Sequence, residues 1–157
     1  MASLCVPCGG TGQPCCAGST CDASPDTCVD NTLDLWGGTD QECNCGVLRS
    51  GQQLLTDDVR WSCDGRFYLV MQGDGNLVLY YVGVGALWSS DTFGTGANRA
   101  LMQSDGNFVV MDGGGQIWFA SGTSGATGAF LAVQTDGNLV VYDGGGTPWW
   151  DSGTCCY

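Results

Sequence analysis

From about residue 66 onward the chain alternates short apolar runs with compact polar breaks, and no stretch sustains the spacing of an amphipathic helix. RFYLVMQ (66–72), NLVLYYV (76–82), ALWSS (86–90), NRALMQ (98–103), NFVVM (107–111), QIWFA (116–120), FLAVQ (130–134), NLVVY (138–142) and TPWWDS (147–152) all have strand length. Asp-Gly or Gly-Gly-Gly lies between many of them. Branched and aromatic side chains suit a pleated, half-buried surface, and Asp-Gly between apolar runs favours a tight hairpin. The pattern predicts an all-β domain.

The pattern also repeats. MQGDGNLVLY (71–80), MQSDGNFVVM (102–111) and VQTDGNLVVY (133–142) are each displaced by 31 residues. Residues 71–92, 102–123 and 133–154 align without a gap, and each closes on Ser-x-Thr, at Ser90/Thr92, Ser121/Thr123 and Ser152/Thr154. A fixed period of this kind predicts three similar sheets. Trp88, Phe119 and Trp150 fall in register. Three equivalent hairpins can therefore each send one large ring to a common axis, burying about 150–250 Å² per ring.

A length of 157 residues supports one ordinary core with a small appendage. The 27 Gly against 4 Pro fit many tight turns. No apolar run approaches the ~20 residues of a membrane span, and the opening MASLCVPCGG has neither a basic nor an apolar export region. Neither membrane insertion nor a signal of that type is expected. The 16 acidic residues outnumber 4 basic ones, all arginines (Arg49, Arg60, Arg66, Arg99), for a net charge of −12. A phosphate backbone would be repelled with little counterion release, so nucleic acid is excluded as a partner.

Eleven cysteines with no histidine read as disulfides, which places the chain in an oxidising, secreted setting. The odd count leaves one thiol free or committed to a partner chain, as in a disulfide-linked dimer or other homo-oligomer. An all-cysteine zinc site needs a second C-x2-C beside Cys5/Cys8, so no metal and no cofactor is expected. Six cysteines fall within CVPCGGTGQPCCAGSTCDASPDTC (5–28), where there is too little apolar surface for a core. Residues 1–32 therefore read as a short disulfide-stapled segment, and 33–157 as the β domain.

In the repeated unit, turn chemistry accounts for Asp, Gly and Asn. It does not account for a Gln two residues before the Asp, nor for a Tyr or Met four after the Asn. A step of two places Gln72, Asp74, Asn76, Val78 and Tyr80 on one side, with Leu77 and Leu79 turned to the core. Two amides, a carboxylate and a phenol hydrogen-bond in both directions, as neighbouring hydroxyls require, and Val adds a C–H surface. The chemistry suits a sugar.

Q-x-D-x-N-x-V, present three times, twice completed by Tyr and a W-x-S ending and once departing with Met111 and Phe119, resembles the mannose-binding motif of the bulb-type lectins, the monocot lectins related to the snowdrop agglutinin. The resemblance covers roughly residues 45 to 154, including LRSGQQLL (48–55) and GRFYLVMQ (65–72). It implies a β-prism II fold of three four-stranded antiparallel sheets about a pseudo-threefold axis. It implies that mannose-containing glycans are the partners, with Asp74 and Asn76 holding the axial 2-hydroxyl of mannose, Gln72 the 3-hydroxyl and Tyr80 the 4-hydroxyl, while Val78 packs on ring carbons. Gln134, Asp136, Asn138, Val140 and Tyr142 match in full. Gln103, Asp105, Asn107 and Val109 match, but Met111 replaces the Tyr, which marks the middle site as weaker or degenerate.

Plant members of that family carry a Cys inside the first motif where this chain has Gly75, so their disulfide cannot form. Cys45 and Cys63 flank the first strand pair and could bridge it, and Cys43 could reach Cys155 or Cys156 if the first and last strands are neighbours. The N-terminal segment, with adjacent Cys15 and Cys16, resembles the knottin framework, which implies Cys5–Cys16, Cys8–Cys21 and Cys15–Cys28 pairing among ~15 connectivities.

An enzyme is not expected: there is no His, no Lys, one Glu (Glu42) and no G-x-S-x-G, and glycosidases need two carboxylates facing across a cleft. The remaining alternative is a structural or coat protein, or a toxin or bacteriocin, built on a lectin-like prism. Sugar binding by the intact motifs discriminates between them.

Overall fold

The computed structural model describes residues 46–157. The stapled segment expected over residues 1–32, with Cys43 and Cys45, lies outside the described residues.

Twelve strands run in chain order: β1 (Val47–Arg49), β2 (Gln53–Leu55), β3 (Val59–Trp61), β4 (Phe67–Met71), β5 (Leu77–Tyr81), β6 (Gly85–Ser89), β7 (Arg99–Met102), β8 (Phe108–Met111), β9 (Ile117–Ala120), β10 (Phe130–Val133), β11 (Leu139–Tyr142) and β12 (Pro148–Asp151). They form three four-stranded sheets, ordered β3-β4-β5-β6, β2-β7-β8-β9 and β1-β10-β11-β12, with every pairing antiparallel. The nine apolar runs read from sequence correspond to β4 through β12. Each repeat, with the strand that leads into it, supplies three adjacent strands of one sheet. The leading segment then gives one short strand to each sheet in turn.

Alternation along these strands builds the core. Leu77 and Leu79, Phe108 and Val110, and Leu139 and Val141 are fully buried at matching positions of β5, β8 and β11, joined by Met71, Met102 and Val133. At the axis the rings of Trp88, Phe119 and Trp150 make a triangle with centroids 5.4, 5.6 and 5.8 Å apart and planes inclined at 70–75°. Edge-to-face contact puts the positive ring edge against a negative ring face, so the triangle gains more than its buried area alone.

The end of the chain is tied to the first repeat. Arg66 pairs with Asp64 at 2.6 Å and donates to the carbonyls of Tyr157 and Thr135. The Tyr157 ring stands edge-on to Tyr81, at 5.9 Å.

The cysteines differ from expectation at the C-terminus. Cys63 is disulfide-bonded, whereas Cys155 and Cys156 are exposed free thiols. A bridge to that pair required the first and last strands to be neighbours, but β1 and β12 form opposite edges of their sheet with β10 and β11 between them.

Candidate functional site

Each repeated unit closes a tight turn between two core strands. The Gln72 amide donates to the Asn76 carbonyl at 2.8 Å, and the Gly75 amide to the Gln72 carbonyl at 3.1 Å. The Gln103–Asn107 and Gln134–Asn138 turns repeat both bonds. Gly75, Gly106 and Gly137 have φ of 90°, 91° and 87°, a region that penalises other residues. A Cβ on Gly106 would also lie 2.5 Å from the Ala126 carbonyl oxygen. One carboxylate oxygen of Asp74, Asp105 and Asp136 accepts the amide of the Asn two residues on, at 2.9 Å each time. That much is turn chemistry.

The Ser-x-Thr unit holds the Asn. Asn76 Oδ1 accepts the Thr92 amide at 3.1 Å and faces Ser90 Oγ at 3.2 Å. Thr92 Oγ1 donates to the Gly75 carbonyl at 2.7 Å, and Ser90 Oγ accepts the Leu77 amide at 3.0 Å. Asn107 with Ser121 and Thr123, and Asn138 with Ser152 and Thr154, repeat the arrangement. Because the scaffold claims Oδ1, the side-chain NH₂ of each Asn is left without a partner among the described residues. Sequence reasoning saw these Ser and Thr recur but assigned them no task. Their constant offset from the Asn was the available signal.

The first and third sets come together. Gln72 Nε2 donates to Tyr80 Oη at 2.9 Å, and Gln134 Nε2 to Tyr142 Oη at 2.6 Å, so each phenol keeps its own proton to give. Asp74 and Asp136 each retain a second oxygen with no partner among the described residues. A carboxylate acceptor and an amide donor side by side complement one hydroxyl, which both gives and takes a hydrogen bond. Tyr142 is only 6% exposed, and burial raises its pKa, the Gln134 bond opposing in part, so the phenol stays protonated at neutral pH. Val78, Val109 and Val140 are 3%, 0% and 3% exposed. They form a floor beneath the polar groups rather than the open C–H surface expected of them.

The middle set departs at two points. Met111 offers Gln103 no phenol, and Ser124 Oγ donates to the second oxygen of Asp105 at 2.9 Å. The Asn107 amide, then the Ser124 hydroxyl, hold the Asp105 carboxyl below the usual carboxylate range. Sequence reasoning found Met111 but missed Ser124. Its register positions carry Phe93 and Cys155, and that variation inside a conserved-length repeat was the clue. The Cys155 thiol has a raised pKa from its hydrogen bond with Cys156, then from partial desolvation and the nearby carboxylates of Asp136 and Asp151. Among the described residues no group of three or more Cys, Asp or Glu side chains is placed to hold a metal.

Neither protein-family models nor curated proteins gave a match. Solved structures did. A Marasmius oreades lectin is 32% identical with a TM-score of 0.65, the match covering 69% of this chain and 91% of that one. A monomeric monocot mannose-binding lectin from Gastrodia elata is 34% identical, TM-score 0.63, covering 70% and 98%. The mannose-specific agglutinin of snowdrop, Galanthus nivalis, solved with methyl-α-D-mannoside, is 36% identical, TM-score 0.57, covering 71% and 99%. The three-sheet arrangement is the β-prism II fold of these lectins.

Proposed function

This chain belongs to the bulb-type mannose-binding lectins, and on that premise we propose that it binds the terminal α-D-mannose of mannose-rich glycans through its first and third sites. One observation carries the reading: at Asp74/Asn76 and Asp136/Asn138 the scaffold occupies one carboxylate oxygen and the amide oxygen, leaving the second carboxylate oxygen and the side-chain NH₂ free among the described residues. Such a pair suits the axial 2-hydroxyl of mannose. The Gln72–Tyr80 and Gln134–Tyr142 couples then serve the 3- and 4-hydroxyls. The mannose-specific snowdrop protein, solved with a mannoside, supports mannose as the sugar. An extracellular location accords with glycan partners and with the disulfide at Cys63.

The test is retention on mannan-agarose. The protein should elute with methyl α-mannoside, while galactose leaves it bound and EDTA has no effect. Equal elution by galactose, or release by EDTA, would overturn the assignment.

The middle site should contribute least. It lacks the phenol, and the Ser124 hydroxyl competes for the Asp105 oxygen that a sugar would use. A hydrogen bond of this kind is worth about 0.5–1.5 kcal/mol, a roughly two- to twelvefold weakening. Asp105→Asn is therefore expected to reduce mannan binding less than Asp74→Asn or Asp136→Asn. Met111→Tyr alone should recover part of a third site, and Met111→Tyr with Ser124→Ala more of it, read as stoichiometry in a calorimetric titration.

A further inference from the structure

The third repeat ends unlike the other two. In register with Phe93 and Ser124 it carries Cys155, and in register with Gly94 and Gly125 it carries Cys156. Both cysteines are exposed free thiols, and they hydrogen-bond to one another. Gly94 and Gly125 have φ of 74° and 101°, the left-handed region that suits glycine, and Cys156 is held there too, at 90°. A side chain with a Cβ is strained in that conformation, and strain kept at one position points to a task for the residue that bears it.

The strained residue is also an anchor. The Asp74 and Asp105 carbonyls each receive one amide from this segment, Gly94 at 2.8 Å and Gly125 at 2.7 Å. The Asp136 carbonyl receives two, from Cys156 at 2.8 Å and Tyr157 at 3.1 Å. The two thiols therefore sit on the backbone that steadies the third motif aspartate.

We propose that Cys155 and Cys156 are a thiol–disulfide exchange site, closed into a bond between neighbouring residues by a small disulfide of the glutathione class, and that closure loosens the third carbohydrate site. One cysteine thiolate attacks a sulfur of the small disulfide, forming a mixed disulfide and expelling one small thiolate. The other cysteine then attacks the protein sulfur of that mixed bond, forming Cys155–Cys156 and expelling the second small thiolate. The cysteines give up two electrons and two protons, and the small disulfide leaves as two thiols. Because the second step is intramolecular, it is favoured over capture by a thiol of another chain. Adjacent Cα atoms lie about 3.8 Å apart, short of the roughly 4.4–6.8 Å of an ordinary disulfide, so the ring is strained and reopens readily. The peptide that must turn to close it is the one whose amide holds Asp136. The effect on sugar rests on the reading that this site takes mannose, and the test keeps the two apart.

The experiment uses the full chain carrying Asp74→Asn and Asp105→Asn, so that only the third site remains, equilibrated in glutathione buffers from reduced to oxidised. Alkylation and peptide mapping should show Cys155 and Cys156 losing their thiols together, joined within one peptide, with no chain dimer on a non-reducing gel. Excess reduced glutathione should restore both thiols while the Cys63 bond persists. Methyl α-mannoside, titrated calorimetrically, should bind about two- to twelvefold more weakly in the oxidised state, the cost of one hydrogen bond. A chain that also carries Cys155→Ser and Cys156→Ser should bind equally in both buffers. A map showing only mixed disulfides or chain-to-chain bonds overturns the exchange site. A closed bond with unchanged mannoside affinity overturns its hold on the third site. If the mannoside binds in neither state, the mannose reading fails, and a closed bond in the map still establishes the exchange site.

Discussion

The double substitution Asp74→Asn with Asp136→Asn is expected to weaken binding to mannan by about 10²- to 10⁴-fold, the whole gain that linked sites confer on a polymeric target. Asparagine is the informative replacement. Its side-chain oxygen can still accept the Asn76 or Asn138 amide that the aspartate holds at 2.9 Å, so the turn survives. The outward atom changes from a carboxylate acceptor to an amide donor, leaving two donors where a hydroxyl needs one of each. Each single variant should lose about tenfold or more, because one strong site with a weak middle site still engages the polymer. Surface plasmon resonance on immobilised mannan reads all three proteins, with a thermal melt confirming the fold. A double variant that stays within about threefold of the parent would show that sugar binds elsewhere, since that ratio is under 1 kcal/mol.

Trp88→Ala should have the largest effect on stability, lowering it by about 3 kcal/mol or more, as truncations of large aromatics in packed sites do. For a domain of this size that corresponds to a fall in Tm of roughly 10–20 °C. The substitution removes one corner of the axial triangle, so Phe119 and Trp150 each lose a ring neighbour at 5.4 and 5.6 Å. Trp88→Phe should cost much less, because Phe119 already fills the equivalent corner. Calorimetric melts of both variants decide the matter. A Trp88→Ala protein melting within about 3 °C of the parent would mean the triangle contributes little beyond filling space.

Much of this was legible in the sequence because each site is local. Asn76 and its braces Ser90 and Thr92 lie 14 and 16 residues apart within one hairpin, so a repeated string already contains the whole arrangement. Strands β4 to β12 were visible as apolar runs for the same reason. The short strands β1 to β3 were not, since three residues carry too little alternation, and the places of β1 and β2 depend on pairing with β10 and β7 far along the chain. Burial of Val78, Val109 and Val140 was hidden too. The step of two says which way a residue points but not what lies over it. Cys155 and Cys156 misled because the order of strands at the sheet edges is a property of the closed fold.

The three sheets turn their outer faces away from one shared axis, which governs the kind of complex this protein forms. The two complete motif sets stand on different sheets, so on the proposed reading one molecule should not lay both on a single small branched glycan. On that reading it should instead join glycans carried by separate chains or particles. Mixed with a glycoprotein bearing several mannose termini, it should yield a cloudy precipitate near equal valence that clears when either component is in excess.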